Sequence, residues 1–280
     1  MAQSPSRRVV IVTGASSGIG RETALQFGRR GCRLGLLARR RERLEAVAEE
    51  IASAGGEAMA LPTDVSHRLQ VYRAVQAVLD RWGRIDVLVN NAGFGVYGAV
   101  EECRPSDFER QIGVNYLGAV YCTLAVLPSM TGQRSGCIIN VSSISGRVPS
   151  PLSAGYCASK FALEAFTSAL RLELRDRGIS VVTVCPGYTE AEFDEATIKR
   201  RPQARRALLK AMPAAAVART IIQGAERPRR EYVVPIPLRL LVLVYGVAPG
   251  LVDWWQSRFR DPAATGPSVG RDGGYGARSR

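Results

Sequence analysis

Short apolar runs alternate with segments of helical periodicity along most of the chain, and this alternation constrains the fold more than any other feature. Strands that are covered by helices on both faces read as continuous apolar runs, so the pattern predicts βαβ units. The predicted strands are Val9–Thr13, Arg33–Ala38, Glu57–Pro62, Ile85–Asn90, Gly136–Ser142, Ile179–Cys185 and Tyr232–Val234. The predicted helices span roughly residues 19–30, 40–54, 67–82, 106–130, 154–177 and 213–225. The sequence therefore predicts an α/β fold, with a doubly wound parallel sheet of about seven strands and helices on both faces.

The organisation along the chain predicts one domain over residues 1–262, because no linker divides residues 9–235. Residues 188–212 lack a strand pattern and follow the carboxyl end of a strand, where such sheets bind ligands, so they are interpreted as a substrate lid. Residues 236–262 form an apolar extension. The Gly-, Ser- and Arg-rich residues 263–280 predict a disordered tail.

The formal charge of +13 is distributed unevenly, because residues 1–198 carry a net charge of +2 and residues 199–280 carry +11. Only three of the 38 basic residues are lysines, which is typical of a general bias toward arginine. No basic run is interleaved with the stacking aromatics that a nucleic-acid site needs. A nucleic-acid partner is therefore not expected.

The six cysteines are scattered, with no CxxC pair, and several lie inside apolar runs, as buried free thiols do. This usage predicts a reducing compartment, no disulfide framework and no metal site. Residues 1–8 are too short for a signal peptide before the first strand, so we expect a cytoplasmic protein.

A glycine-rich turn follows the first predicted strand directly and opens a helix. Such a turn lets backbone N–H groups approach a pyrophosphate, which the field of the helix N-terminus also favours. Tight turns need glycine for steric reasons as well, so the turn alone is weak evidence. The GxxxGxG spacing after a strand predicts nucleotide contacts from Gly14, Ser16, Ser17, Gly18, Ile19 and Gly20.

The end of the second strand predicts which nicotinamide cofactor binds. In a doubly wound fold this end meets the adenosine ribose, where an acidic residue would favour NAD. No acid occurs between Gly35 and Arg41, and Arg39 offers a planar fork of donors that suits a 2′-phosphate. Arg40, Arg41 and Arg43 are interpreted as the solvated start of a helix. The sequence thus favours NADP(H) over NAD(H).

Tyr156 and Lys160 are four residues apart, which places a phenol and an ammonium on one helix face. A nearby ammonium favours the phenolate and brings the pKa of a tyrosine toward the range of a useful proton donor. The pair is weak evidence alone, but Ser143 ends a strand thirteen residues earlier. Ser142 is the competing hydroxyl, and strand alternation points the two serines to opposite sides.

Together these segments resemble the short-chain dehydrogenase/reductase family of the single-domain type, with TGxxxGxG, NNAG, YxxxK and PG in order over residues 9 to about 235. The resemblance implies a Rossmann-type fold, and catalytic roles for Asn115, Ser143, Tyr156 and Lys160. It implies that the cofactor contacts Asp64, Val65, Asn91, Ala92, Gly93, Tyr156, Lys160, Pro186, Gly187 and Thr189 as well as the turn and Arg39. Taken alone, Asp64 and Thr189 are ordinary loop residues, and Asn115 is a capping or core-bracing residue.

The resemblance implies an oxidoreductase that interconverts a ketone or aldehyde and an alcohol with NADP(H), and a homodimer or homotetramer. A catalytically silent NADP(H)-binding sensor or scaffold is the alternative, and the presence of all four catalytic positions disfavours it. No second substrate domain follows, which disfavours a sugar-nucleotide epimerase.

The apolar extension allows three interpretations. Its run from Leu240 to Val252 is broken by Pro249-Gly250 and is too short to span a bilayer. Flanking arginines and the pair Trp254-Trp255 fit peripheral contact with a membrane interface through residues 236–260. A helix that covers the substrate cleft, or a subunit contact, is favoured because no clean charged face opposes the apolar one. Each interpretation suggests a lipophilic small-molecule substrate.

Overall fold

The computed structural model describes residues 8–190, 197–200 and 211–258. The main strands are β1 (Val9–Thr13), β2 (Arg33–Ala38), β3 (Glu57–Pro62), β4 (Val87–Asn90), β6 (Gly136–Val141), β7 (Ile179–Pro186) and β11 (Glu231–Val234), with two-residue strands β5 (Val96–Tyr97), β8 (Thr189–Glu190), β9 (Ile198–Lys199) and β10 (Met212–Pro213). The helices are α1 (Gly18–Gly28), α2 (Arg41–Ser53), α3 (Arg68–Trp82), α4 (Pro105–Ile112), α5 (Gly118–Gln133), α6 (Ala154–Glu173), α7 (Ala214–Glu226), α8 (Leu238–Val247) and α9 (Pro249–Arg258).

The seven main strands form one parallel sheet in the order β11-β7-β6-β4-β1-β2-β3. The strand order reverses beside β1, which pairs with β2 on one side and with β4 on the other. In such sheets the carboxyl ends of the strands open a crevice at the reversal, and ligands bind there. The predicted doubly wound fold is confirmed, and it places the glycine-rich turn at the crevice.

Both faces of the sheet are buried, as the continuous apolar runs predict. On β1, Val10 and Val12 pack into the hydrophobic cluster that contains residues of α1, α2 and α7. Val9 and Ile11 pack into the cluster on the opposite face, with residues of α3 and α5. Strand β1 therefore has helices against both faces, whereas β3 at the edge of the sheet is only partly buried.

The strand and helix boundaries differ from the predictions at two places that matter. Strand β4 begins at Val87, because Ile85 precedes the ladder although it is buried. The helix predicted over 106–130 is divided into α4 and α5 by a π-helical turn at Gly113–Leu117. Such turns recur at functional sites, and this one contains Asn115. The sequence pattern carries no signal for it, because the apolar period continues through the turn.

The stretch interpreted as a lid contains strands, contrary to the prediction that it has none. Strand β8 pairs with β10, and β9 pairs with β5. Two-residue strands are too short to show a period of two, which is why the sequence did not reveal them. Residues 191–196 and 201–210 of this stretch, and the tail predicted over 263–280, lie outside the described residues.

The carboxyl-terminal extension consists of α8 and α9, whose axes differ by 118° across Ala248. Together α8 and α9 are long and apolar enough to cross a membrane, although bent, and so is the single run Pro105–Gln133. In that run, Cys122, Val126 and Met130 are fully buried in the core.

Candidate active site

A cavity of about 350 Å³ lies at the carboxyl ends of β1, β2 and β4. Its volume is within the range of small-molecule and cofactor sites. Of the residues predicted to contact the cofactor, it is lined by Gly14, Ser16, Ser17, Gly18, Ile19, Arg39, Asp64, Val65, Asn91, Ala92 and Gly93. The structure therefore brings together residues from four separate predicted segments.

Hydrogen bonds to Thr13 join the glycine-rich turn to the NNAG segment. The Thr13 hydroxyl accepts the backbone N–H of Asn91 at 2.9 Å and that of Ala92 at 3.0 Å. The Asn91 amide donates back to the Thr13 carbonyl at 3.0 Å. Gly20 lines neither cavity, but a Cβ there would lie 2.6 Å from Asn91 Nδ2. Glycine at this position is therefore required by the packing of helix α1 on the turn.

Two arginines lie at the end of this cavity formed by the carboxyl end of β2. Arg39 and Arg40 both line it and are both exposed. Arg40 donates to the hydroxyl of Ser17 at 2.8 Å and to that of Ser16 at 3.3 Å. Arg40 is exposed at the start of α2, as predicted, and its side chain also bonds the glycine-rich turn, which the sequence did not indicate. The surface interpretation holds for Arg41, which is exposed and pairs with Glu45 at 3.4 Å.

Asp64 lines the same cavity, and its carboxylate is already engaged. Its Oδ1 accepts the backbone N–H of Ser66 at 2.9 Å and the Ser66 hydroxyl at 2.7 Å. Burial by itself raises the pKa of Asp64. These hydrogen bonds and the charge of Arg39 lower the pKa by more, so it lies below its ordinary value. Asp64 therefore stays ionised and shapes the turn after β3.

A second cavity of about 70 Å³ adjoins the first, because both are lined by Ile19, Asn91 and Gly93. The predicted residues that line it are Ser143, Tyr156, Lys160, Pro186, Gly187 and Thr189. The two cavities thus form an elongated site that runs from the arginines to the tyrosine.

Tyr156 and Lys160 lie on one face of α6 and are nearly inaccessible, at 7% and 3% exposure. Lys160 Nζ lies 5.8 Å from the centroid of the Tyr156 ring and donates to the Val141 carbonyl at 2.9 Å. Burial lowers the pKa of Lys160 to about 8, and the charge of Glu164 opposes this fall. The ammonium form is therefore available near neutral pH.

Both candidate serines line the smaller cavity. The Ser143 Oγ accepts the backbone N–H of Ser145 at 3.1 Å, which leaves its proton for another acceptor. The Ser142 Oγ is buried without a hydrogen-bond partner in the described part of the chain. It is also crowded, because a Cβ added to Gly146 would lie only 2.8 Å from it. The hydrogen bonds of Ser143 suit a hydroxyl that donates to a substrate oxygen.

Asn115 lines neither cavity and is 1% exposed. Its Oδ1 accepts the N–H of Phe94 at 3.0 Å, and its Nδ2 donates to the Phe94 carbonyl at 2.9 Å and to the Ser159 hydroxyl at 2.9 Å. These bonds hold the loop after β4 against α6. They agree with the bracing role that the sequence left open.

Sequence reasoning missed two contributors besides Arg40. The TGxxxGxG motif gives Thr13 no role of its own, although its position as the last residue of β1 places it at the carboxyl edge of the sheet. Tyr97 in β5 packs against Tyr156 with ring centroids 6.1 Å apart, and it is 6% exposed. No local pattern identifies Tyr97, because its place beside α6 depends on the fold of the loop after β4.

Comparisons with known proteins agree with this geometry. A sequence profile of the family described as short chain dehydrogenase matches residues 8–202. The dehydrogenase/reductase SDR family member 7B of Bos taurus is 34% identical over 265 residues, which cover 87% of this chain and 78% of that protein. A metagenomic short-chain oxidoreductase in complex with NADP is similar in structure, with a TM-score of 0.71 and 33% identity over 81% of this chain and 96% of that one. A short-chain dehydrogenase/reductase from Burkholderia phymatum in complex with NAD shares the fold, with a TM-score of 0.81 and 24% identity over 95% of this chain and 99% of that one.

Proposed function

The chain belongs to the short-chain dehydrogenase family, whose members are oxidoreductases that act on alcohols and carbonyls with a nicotinamide cofactor, and we propose that it uses NADP(H) on a lipophilic small molecule. The observation that supports this best is the continuity of the two cavities. The Arg39 end fits a phosphorylated ribose, and the Tyr156 end holds a proton donor and an ammonium.

The residues of the smaller cavity suggest how the reaction proceeds. NADPH, when bound, supplies the hydride for a carbonyl carbon. Ser143 donates a hydrogen bond to the carbonyl oxygen and orients it. Tyr156 gives its proton to that oxygen, and the charge of Lys160 stabilises the phenolate that remains. The reverse reaction, alcohol oxidation, uses the same groups with the proton moving to Tyr156.

Other residues serve binding and proton supply in this proposal. Lys160 would also hold the ribose hydroxyls of the cofactor, and Asn115 would support a relay of protons to Lys160. Pro186, Gly187 and Thr189 would hold the nicotinamide end, with Thr189 as a donor for its carboxamide. Gly14, Gly18 and their neighbours in the turn hold the pyrophosphate through backbone N–H groups.

The function is tested by measuring oxidation of NADPH and of NADH by purified protein over ketones and aldehydes of increasing apolar size. We expect turnover with NADPH that improves with apolar size, because Tyr97 and Leu238 add apolar surface near the smaller cavity. Turnover of small polar carbonyls alone would contradict the lipophilic substrate. Tight binding of NADPH without any turnover over the panel would instead favour a sensor.

The preference for NADP(H) is tested at Arg39. A charge-assisted bidentate bond to a phosphate contributes about 1.5–3 kcal/mol, so we expect Arg39→Ala to weaken NADPH binding about 10- to 100-fold. NADH binding, measured in the same fluorescence titration, should change less than about 3-fold, because NADH has no 2′-phosphate. Arg41→Ala is the matched control on the helix surface. Equal losses for both cofactors would show that Arg39 does not recognise the phosphate.

We further propose that α8 and α9 rest on an anionic membrane surface. Several of their large apolar side chains are exposed, namely Leu240, Leu243, Val247, Leu251 and Trp254, together with Ile236 just before them, whereas Leu238 and Val252 are buried. Arg258 lies over the ring of Trp254, and Asp253 is the one acidic residue in 236–258. Apolar anchors beside an aromatic–cation pair are typical of interfacial helices. Leu238 packs near Gly187, so this surface adjoins the smaller cavity and could receive an apolar substrate from the membrane.

Vesicle flotation tests the membrane contact. The protein is expected to float with vesicles of phosphatidylglycerol and phosphatidylcholine, and Leu243→Glu with Val247→Glu should abolish flotation, because two charges oppose burial in lipid. Leu172→Glu is the control, because Leu172 is 73% exposed but lies on α6. A homodimer or homotetramer is the competing occupant of this surface. If subunits cover this surface, the unaltered protein should not float. Light scattering should then show a smaller particle for the double variant.

A further inference from the structure

A group of charged residues that includes the buried Glu164 lies near Lys160, and none of its members lines either cavity. Tyr156, Lys160 and Glu164 follow each other at four-residue intervals on α6 and therefore share one face of the helix. Glu164 is only 6% exposed. A carboxylate that is withdrawn from water to this extent stays ionised only when charged or hydrogen-bonding partners compensate it.

The partners of Glu164 come from two other elements. Arg147, in the loop after β6, places Nη2 at 2.8 Å from Glu164 Oε2 and at 2.7 Å from Glu231 Oε2 of β11. The Cys185 thiol of β7 donates to Glu164 Oε1 at 3.1 Å. Burial, and then the charge of Glu164, raise the pKa of Cys185 well above its ordinary value, so this group remains a neutral donor.

We propose that Glu164 is a positioning residue that keeps Lys160 in its ammonium form, and that Arg147 and the Cys185 thiol hold the carboxylate of Glu164 in place. Part of the reason is local, because opposite charges one helical turn apart stabilise each other, and more strongly where water is excluded. The role of this ammonium for Tyr156 rests on the proposed function, but the effect of Glu164 on Lys160 does not.

The titratable groups around Lys160 come from α6 and β7. Tyr156 and Glu164 flank it on its own helix, and Cys185 approaches from β7. Burial lowers the pKa of Lys160 to about 8, while Glu164 and then Cys185 oppose the fall. Because Cys185 is a neutral thiol, Glu164 carries the opposing charge. Without it, the lysine would lose its proton within the neutral range.

The small number of lysines allows a direct test. The chain contains only Lys160, Lys199 and Lys210, so protein labelled with ¹³C at lysine Cε gives three NMR signals, and Lys160→Arg assigns one of them. We expect the Lys160 signal to titrate with a pKa of about 8 in the unaltered protein. In Glu164→Gln the midpoint should fall by about one unit or more, because the opposing charge is lost and Arg147 remains. The other two signals serve as internal controls.

Two further variants make the test robust to misfolding. Glu164→Gln combined with Arg147→Gln removes both charges and leaves no stranded guanidinium, so its Lys160 midpoint should lie between those of the single variant and the unaltered protein. Glu231→Gln is the matched control on the same arginine, and because Glu231 is one-third exposed we expect a shift below about 0.3 units. A Lys160 midpoint that stays within about 0.2 units in both Glu164 variants would overturn the proposal. The titration needs no substrate, so an enzyme without turnover in the carbonyl panel would leave this result intact.

Discussion

Tyr156→Phe is expected to lower kcat/KM for carbonyl reduction by about 10²- to 10⁴-fold, the range found when a general acid is removed. The change deletes one hydroxyl and keeps the ring that packs against Tyr97. Because Tyr156 is 7% exposed, no solvent molecule readily replaces the lost donor. NADPH binding should change little, since the rest of the elongated site is untouched.

The measurement is initial-rate NADPH oxidation with the best carbonyl of the panel, together with a fluorescence titration of NADPH. Tyr97→Phe is the matched control, because it removes a hydroxyl from the neighbouring ring and should cost less than about 10-fold. If Tyr156→Phe kept the full rate while Tyr97→Phe lost it, the proton donor would be Tyr97 and our assignment wrong.

Lys160→Met is expected to produce an inactive protein that is more stable than the original at neutral pH. Burial depresses the pKa of Lys160 from 10.5 to about 8, so the unfolded chain binds more protons than the folded one between these values. The free-energy cost of burying the ammonium is therefore fully present below pH 8. It disappears as the pH rises above the pKa of a free lysine, 10.5. At about 1.4 kcal/mol per pKa unit this cost is about 3 kcal/mol.

Methionine matches the length of the lysine stem without its charge. It also loses the hydrogen bond to the Val141 carbonyl, worth about 1 kcal/mol, so a net gain of about 2 kcal/mol in the free energy of unfolding is expected at pH 7. Urea unfolding at about pH 7 and about pH 10.5 measures it, and the gain should vanish at the higher pH. Lys199→Met, at an exposed position, should stay within about 0.5 kcal/mol at both. A destabilised Lys160→Met at pH 7 would show that the ammonium is well compensated by its surroundings.

The fold was predictable because its signals are local. The strands β1, β2 and β3 have the predicted bounds, since their apolar runs end where glycine or polar residues begin. The π-helical turn at Gly113–Leu117 was not predictable. It is stabilised by the bonds between Asn115 and Phe94, which depend on where the loop after β4 lies.

The sequence by itself determined the juxtapositions that short spacing imposes. Tyr156 and Lys160 share a face because one helical turn separates them, and the glycine-rich turn lies at the crevice because it follows a parallel strand directly. The place of Arg39 at the cavity likewise followed from the position of a strand end.

Only the tertiary structure decided what depends on residues distant in sequence. Arg40 reaches Ser16 and Ser17 across the turn from a different βα unit. The chemistry of Lys160 depends on burial and on Glu164, whose own charge is balanced by Arg147 from a separate loop. The physical reason is that periodicity records the direction in which a side chain points from its own element. Burial and charge compensation are properties of the space between elements, and they exist only once the chain has folded.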